Sequence, residues 1–367
     1  MPSKAQIRAE AARLMALFEA QGAAPVEADI LQPAGTLLDL YGEDIRARAF
    51  VTSDPLRGEM MLRPDFTVPV VQMHMKGGAE PARYTYAGEV FRRQEEDDGR
   101  PREYIQVGYE IFDRVDPAQA DAEVFARISD ALAPLNLRVA IGDIGILRAA
   151  VNGLGTTEPR RAALLRHLWR PRRFRALLDR FGGVAPLPAP RRDLLSRLDK
   201  EGVDAVMAAA QPQIGLRGAG EISERLNRLA EDAATAPIDP AAVALIDDIL
   251  DVRETPEFAL ERLRDIAVDL PSITQALEGL EQRLEALARR GVALDTLDFE
   301  ASYGRTALEY YDGFVFGFYA EGRPDLPPVA TGGRYDALTR VLGQGSEIPA
   351  VGGVIRPGLL LELGGAA

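Results

Sequence analysis

The 367-residue chain has no cysteine and only two histidines, His74 and His167. The first absence removes thiolate nucleophiles, disulfides, zinc clusters and iron–sulfur ligation together. The two imidazoles lie far apart in sequence, which argues against a two-histidine metal site or a Ser-His-Asp relay. Acids and arginines are left to carry any chemistry. No window is apolar for long enough to cross a bilayer. The N-terminal MPSKAQIRAEAARLMALF mixes charged and apolar residues at helical spacing and lacks a signal-peptide core, so a cytoplasmic protein without membrane contact is expected. A formal charge of −13 argues against a large surface for neutralising nucleic-acid phosphates.

The length exceeds the usual size of one core and predicts a main domain with a second unit. Ile7, Ala11, Leu14 and Phe18 form one helical stripe, with Ser3 placed as N-cap and Gly22 just past the end. Short extended pieces and a short helix near Leu37 to Tyr41 are expected next. EMMLRPDFTVPVVQMHM reads as strand, turn and helix, because Pro64 restricts Arg63 to extended backbone. Tyr84 to Arg93 and Glu103 to Asp113 read as strands joined by the polar loop QEEDDGRPR. Its acids Glu95, Glu96, Asp97 and Asp98 fit a solvated loop, and no metal site is expected. Ala120 to Leu132 reads as helix and Leu137 to Asp143 as strand.

From about 144 to 295 the texture is Ala, Leu and Arg at helical spacing, broken by GGVAPLPAP and ATAPIDPAA. Within it, Arg160 to Arg180 is dense in arginine. Two readings fit: a helix pair with a solvated cationic face, or a surface for an anionic ligand or acidic partner. Strand character returns in LDTLDFEASYG and EYYDGFVFGFYAEG. Read as one strand, the latter puts Tyr310 and Tyr311 on opposite faces, so only one of them lines any given pocket. Strands on both sides of a helical block predict an α+β fold with a mixed, mostly antiparallel sheet. The expected divisions are 1–143, a helical insertion over 144–295, and 296–367.

Alternation along Glu103 to Asp113 sends Tyr104, Gln106, Gly108 and Glu110 to one face and Ile105, Val107, Tyr109 and Ile111 to an apolar one. On the neighbouring strand Tyr86, Gly88, Val90 and Arg92 share a face. Two glycines flanked by Gln, Glu and Arg fit the floor of a small polar pocket, and equally a wet, salt-bridged hairpin face. As a pocket it suits a zwitterion, with Glu110 and Asp65 near an ammonium and Arg92 near a carboxylate or phosphate.

In this order the segments resemble the core of class II histidyl-tRNA synthetases. FRRQEEDDGRPREYIQVGYEIF resembles the motif 2 hairpin in its histidyl form and LRPDFTVPV the LRPEGT segment. EYYDGFVF resembles the histidine-binding tyrosine segment, and GGRYDAL with IPAVGG the entry to motif 3. The resemblance implies that Asp65, Thr67, Gln106, Glu110 and Tyr311 line an amino-acid pocket. It adds Tyr310 and Tyr335 at matched positions, Arg92 as the motif 2 arginine, and Arg305, which aligns with the arginine before the tyrosine pair only through one inserted residue.

Three departures separate the chain from a working synthetase. Gln94 stands where motif 2 carries an acid. Arg356, Pro357, Gly358 and Leu359 stand where motif 3 runs Gly-apolar-acid-Arg, so Leu359 replaces the arginine that rests on ATP. No anticodon-binding segment is expected after Ala367, hence no tRNA partner. The chain thereby resembles the regulatory subunits of ATP phosphoribosyltransferase. That resemblance implies a non-catalytic protein with no catalytic residues and no cofactor, paired with a short-form catalytic subunit in a hetero-octamer. It also implies a part in histidine biosynthesis, with histidine as feedback effector. The alternative is a truncated histidyl-tRNA synthetase or another amino-acid-activating paralogue. The opening helix and Pro25 to Gln32 lie where class II proteins build a homodimer interface.

Overall fold

The computed structural model describes residues 2–41, 48–94, 101–210, 215–305 and 310–364. Glu95 to Asp98 of the acidic loop lie outside them. Twelve strands follow in chain order: β1 Ala24–Pro25, β2 Leu31–Pro33, β3 Val51–Asp54, β4 Gly58–Leu62, β5 Ala82–Phe91, β6 Glu103–Phe112, β7 Leu137–Asp143, β8 Arg253–Glu254, β9 Leu297–Glu300, β10 Phe314–Ala320, β11 Ala330–Arg334 and β12 Ala350–Ile355. Nine of them form one sheet in the order β1-β5-β6-β12-β11-β10-β7-β9-β8, and β2-β4-β3 form a small second sheet. The β1–β5 and β7–β9 pairs are parallel and the other ladders antiparallel, so the expected α+β fold with a mixed, mostly antiparallel sheet is what forms.

Local signals account for the elements that frame the sheet. The helix Lys4–Ala20 starts at Ser3, whose Oγ accepts from Gln6 N at 3.3 Å while Gln6 Oε1 accepts from Ser3 N at 2.8 Å, a reciprocal cap that satisfies two otherwise orphaned donors. It ends before Gly22, at φ +94°, and buries Ala11, Leu14 and Phe18, the last ring 5.1 Å from Tyr109. The helix Pro117–Leu132 begins earlier than the apolar periodicity suggests. Pro117 is preorganised for the first turn, and Asp116 accepts from Gln119 N at 3.0 Å. Phe125 of that helix packs on Phe316 and Phe318 of β10, each 5.4 Å away, which fills the apolar face of the sheet.

Two compact units divide the chain, Met1–Ala149 with Asp248–Ala367, and Ala150–Asp247. The helical stretch read over 144–295 is thus split. Its last part, the helices Pro256–Asp269 and Thr274–Arg289, belongs to the sheet-bearing unit. Arg283 is the reason visible at the side-chain level: it donates to Asp121 Oδ2 and Asp143 Oδ2, both at 2.7 Å, and so ties Thr274–Arg289 to Pro117–Leu132 and β7. Periodicity cannot reveal such a link. The second unit is helical, with Glu158–Arg166, Pro171–Phe181, Ala189–Ala208 and Ala219–Ala234; of the breaks read from the sequence, GGVAPLPAP falls between Pro171–Phe181 and Ala189–Ala208, and ATAPIDPAA between Ala219–Ala234 and Pro240–Leu250. No helix among the described residues is long and apolar enough to cross a membrane.

Candidate functional site

The face of β6 that carries Gln106, Gly108 and Glu110 looks onto the helix Thr67–Met75 and the tyrosines beyond β11. Glu110 is buried and accepts three hydrogen bonds: from Thr67 Oγ1 at 3.0 Å and Tyr86 OH at 2.7 Å on Oε1, and from Tyr335 OH at 2.5 Å on Oε2. Burial pushes its carboxyl up to about 7, against the downward pull of the Tyr335, Tyr86 and Thr67 hydrogen bonds, and Asp65 pushes the same way as burial. Gln106, on the same face, is buried, and neither its Oε1 nor its Nε2 has a partner among the described residues. A buried amide with both functions unmet is costly in isolation. It suits a ligand that brings a donor and an acceptor together.

The two strand glycines do not face each other. Gly88 opposes Gln106, and Gly108 opposes Tyr86. Each takes up a neighbouring side chain instead of leaving bare backbone. A Cβ on Gly108 would lie 2.0 Å from the Tyr86 ring, and one on Gly88 would lie 2.6 Å from the Arg63 guanidinium and 2.9 Å from Phe66. Across the sheet the same device holds Glu110 itself, since a Cβ on Gly352 would fall 1.3 Å from Glu110 Oε2. Gly333 makes room for the Tyr311 ring in the same way, at 2.7 Å. Glycines are what let acid and tyrosines lie flat on the strands. Gly352→Ala is therefore expected to displace the Glu110 carboxylate and cost about 1–3 kcal/mol of stability, read by chemical denaturation, whereas Gly279→Ala, inside the helix Thr274–Arg289 with nothing within 4 Å, serves as the control and should gain about 0.5–1 kcal/mol.

Tyr86 and Arg63 are the contributions that residue-by-residue reading did not place in the site. Tyr86 carried a usable signal, since it shares the face of Gly88. Arg63 did not; its guanidinium is spent on Glu89 O at 2.8 Å, on Ala28 O, and on the Phe66 ring 3.9 Å away. The tyrosine pair departs from expectation. β10 begins only at Phe314, because Asp312 accepts from the backbone N–H groups of Asp336 at 3.0 Å and Ala337 at 2.9 Å. Free of strand alternation, Tyr310 and Tyr311 are both buried in one cluster, their ring centroids 4.9 Å apart and Tyr310 6.0 Å from Tyr335. Burial and then Glu110 raise the Tyr311 phenol, and Asp65 and Arg92 also act on it, which places all three charges around that ring.

Asp65 is buried and accepts from Val68 N at 3.3 Å in the first turn of Thr67–Met75. Arg92 lies further out, donating to Pro64 O at 3.0 Å with its guanidinium carbon 6.0 Å from the Tyr104 ring. Arg356 approaches the same ring at 5.6 Å and donates to Pro328 O. Arg305 is buried in the turn after β9. Leu359, where a synthetase carries its ATP arginine, lies in the helix Pro357–Gly364.

A family model described as histidyl-tRNA synthetase matches residues 1–253 and 223–357. The chain is 33% identical over 359 residues to the ATP phosphoribosyltransferase regulatory subunit of Brucella anthropi, which covers 92% of this chain and 93% of that one. The protein of the same name from Brucella ovis is 33% identical over 352 residues, 91% of this chain and 92% of its own. Among solved structures, an ATP phosphoribosyltransferase regulatory subunit/histidyl-tRNA synthetase from Bacillus halodurans superposes with a TM-score of 0.69 at 21% identity, over 99% of this chain and 81% of that one. A histidine–tRNA ligase subunit from Alicyclobacillus acidocaldarius gives 0.61 at 24% identity, over 100% and 95%. At those identities the superpositions speak for the fold. Matched along nearly its whole length by the synthetase model and at 33% identity by named regulatory subunits, the chain belongs to the ATP phosphoribosyltransferase regulatory subunit family, built on the histidyl-tRNA synthetase fold.

Proposed function

We propose that the chain is a non-catalytic regulatory subunit of a short-form ATP phosphoribosyltransferase, needed for activity of the catalytic subunit in histidine biosynthesis and for its inhibition by histidine. It works in the cytoplasm as a homodimer within a hetero-octamer. Kinship with regulatory subunits over nearly the full chain carries this reading.

The site supplies a chemistry consistent with it. Glu110 and Asp65 offer negative charge to an ammonium, the Gln106 amide offers one donor and one acceptor, and Thr67, Tyr310, Tyr311 and Tyr335 wall the space. Arg92 and Arg305 are the cations for the carboxylate end. Leu359 is apolar where adenylate chemistry needs a positioned cation, a contact that often supplies several kcal/mol to such a step. Histidine then acts as an effector by binding two states of the complex unequally, and a coupling of about 1–3 kcal/mol suffices.

Titrating the chain into a short-form catalytic subunit is expected to switch on phosphoribosyl transfer, and histidine to suppress it. If activity does not appear in a complex verified by gel filtration, the regulatory role is wrong. Histidine-dependent exchange of pyrophosphate into ATP is expected to be absent; robust exchange would favour the amino-acid-activating alternative.

A further inference from the structure

The arginine-dense stretch of the helical unit divides on folding. Arg166, Arg172 and Arg173 are exposed, whereas Arg160 and Arg180 turn toward Asp232 on Ala219–Ala234, where Arg191 of Ala189–Ala208 joins them. Arg160 is 7% exposed and fully engaged. It donates to Asp232 Oδ1 at 2.7 Å, Asp232 O at 2.6 Å, Ala236 O at 2.8 Å and Thr235 O at 3.3 Å. Its role is to hold the unit together.

Arg180 and Arg191 are placed differently. Both reach the remaining oxygen, Asp232 Oδ2, only at long range, 3.7 and 3.4 Å. Their Nε atoms are buried without a hydrogen-bond partner among the described residues. Three guanidiniums thus share one carboxylate, which leaves an excess of two positive charges around Asp232. The Arg180 and Arg191 side chains are 32% and 27% exposed, so both remain partly open to solvent. Burial, and then the charge of Arg191, make the protonated Arg180 less favourable. Arg191 also sits in the first turn of its helix, where the backbone dipole already presents positive potential.

We propose that Arg180 and Arg191, braced by Arg160 and Asp232, form a binding site for the phosphate group of a small phosphorylated metabolite. Two planar guanidiniums with unmet donors match the oxygens of a phosphoryl group, which accepts paired N–H bonds. The site is separate from the Glu110 pocket and independent of the regulatory reading.

The test is calorimetry of the full chain with inorganic pyrophosphate and inorganic phosphate as probes. Saturable binding is expected, weakened about tenfold or more by Arg180→Gln or Arg191→Gln and lost in the double variant. It should persist in Arg356→Gln, which removes a cation beside Tyr104. If the double variant does not fold, protection of Arg180 and Arg191 from phenylglyoxal by pyrophosphate, mapped by mass spectrometry on the unaltered protein, answers the same question. Absence of binding at millimolar pyrophosphate overturns the site, as does unchanged affinity in the double variant, or binding of an acidic peptide alone.

Discussion

Glu110→Gln is expected to stabilise the ligand-free protein above neutral pH while crippling its binding of histidine. In the folded state burial raises the Glu110 carboxyl from its usual 4.5 to about 7, so between those values the native state holds a proton that the unfolded chain releases. The stabilisation is complete below about pH 4.5 and is lost as the pH rises through about 7. The gap corresponds to about 3 kcal/mol. Glutamine is neutral throughout and keeps the shape. Its oxygen can accept from Thr67 and Tyr86, and its amide nitrogen can donate to the Tyr335 oxygen. Melting curves of variant and parent should therefore coincide near pH 5 and separate near pH 8.5, with the variant higher.

Binding moves the other way. The parent should bind histidine more tightly as the pH rises through about 7, because the ligand's cationic end needs the carboxylate. The variant, lacking a charge-assisted partner, should bind about tenfold to a hundredfold more weakly. Calorimetry at both pH values measures this. A variant that melts with the parent's pH dependence, or binds histidine as well, removes Glu110 from the role given to it.

Arg283→Met should be among the most damaging single changes in the sheet-bearing unit. Arg283 and Arg334 share Asp121: Arg283 Nε reaches Oδ2 at 2.7 Å, and Arg334 Nη2 and Nε reach Oδ1 at 2.6 and 3.0 Å. Arg283 also serves Asp143, and Arg334 also donates to Asp336 at 3.0 Å and to Pro117 O at 2.8 Å. Arg283, Arg334, Asp121 and Asp143 are all buried. Taking away one guanidinium strands carboxylates that cannot rehydrate, a cost of about 3–5 kcal/mol. Adding Asp143→Asn should restore part of that loss, since Asp121 keeps Arg334 whereas Asp143 loses its cationic partner, and the uncompensated charge rather than the missing contact carries most of it. Urea denaturation of the single and double variants decides; equal stability would show that the network contributes little.

The network also bears on the pocket. Arg334 is the last residue of β11, next to Tyr335, whose phenol donates to Glu110. A loosened Arg334 should therefore weaken histidine binding as well as stability, a coupling that double variants with Glu110→Gln can measure.

Much of this molecule is legible from one dimension. The period of two along Glu103 to Phe112 places Gln106 and Glu110 on one face, and the helix caps at Ser3 and Gly22 and the Gly/Pro breaks of the helical unit are written in local residue types. Register is not, because the whole ladder sets it. The glycines sit diagonally, so Tyr86 rather than empty space covers Gly108. The tyrosine pair escaped strand alternation because Asp312 beside it caps the backbone at Asp336 and Ala337, donors more than twenty residues away that no local pattern reveals. Helices that look alike in composition went to different units according to partners distant in sequence, as Arg283 finds Asp121 and Asp143.

Residue order alone thus determined the kinds of element, their sequence along the chain, and the candidate acids and cations. Tertiary structure alone decided which of them meet, as Arg334 and Asp121 do across 213 residues, and which protonation state they favour. The physical reason is that pairing and desolvation depend on neighbours brought together by folding, and no periodicity of 2 or 3.6 residues encodes a partner that far away.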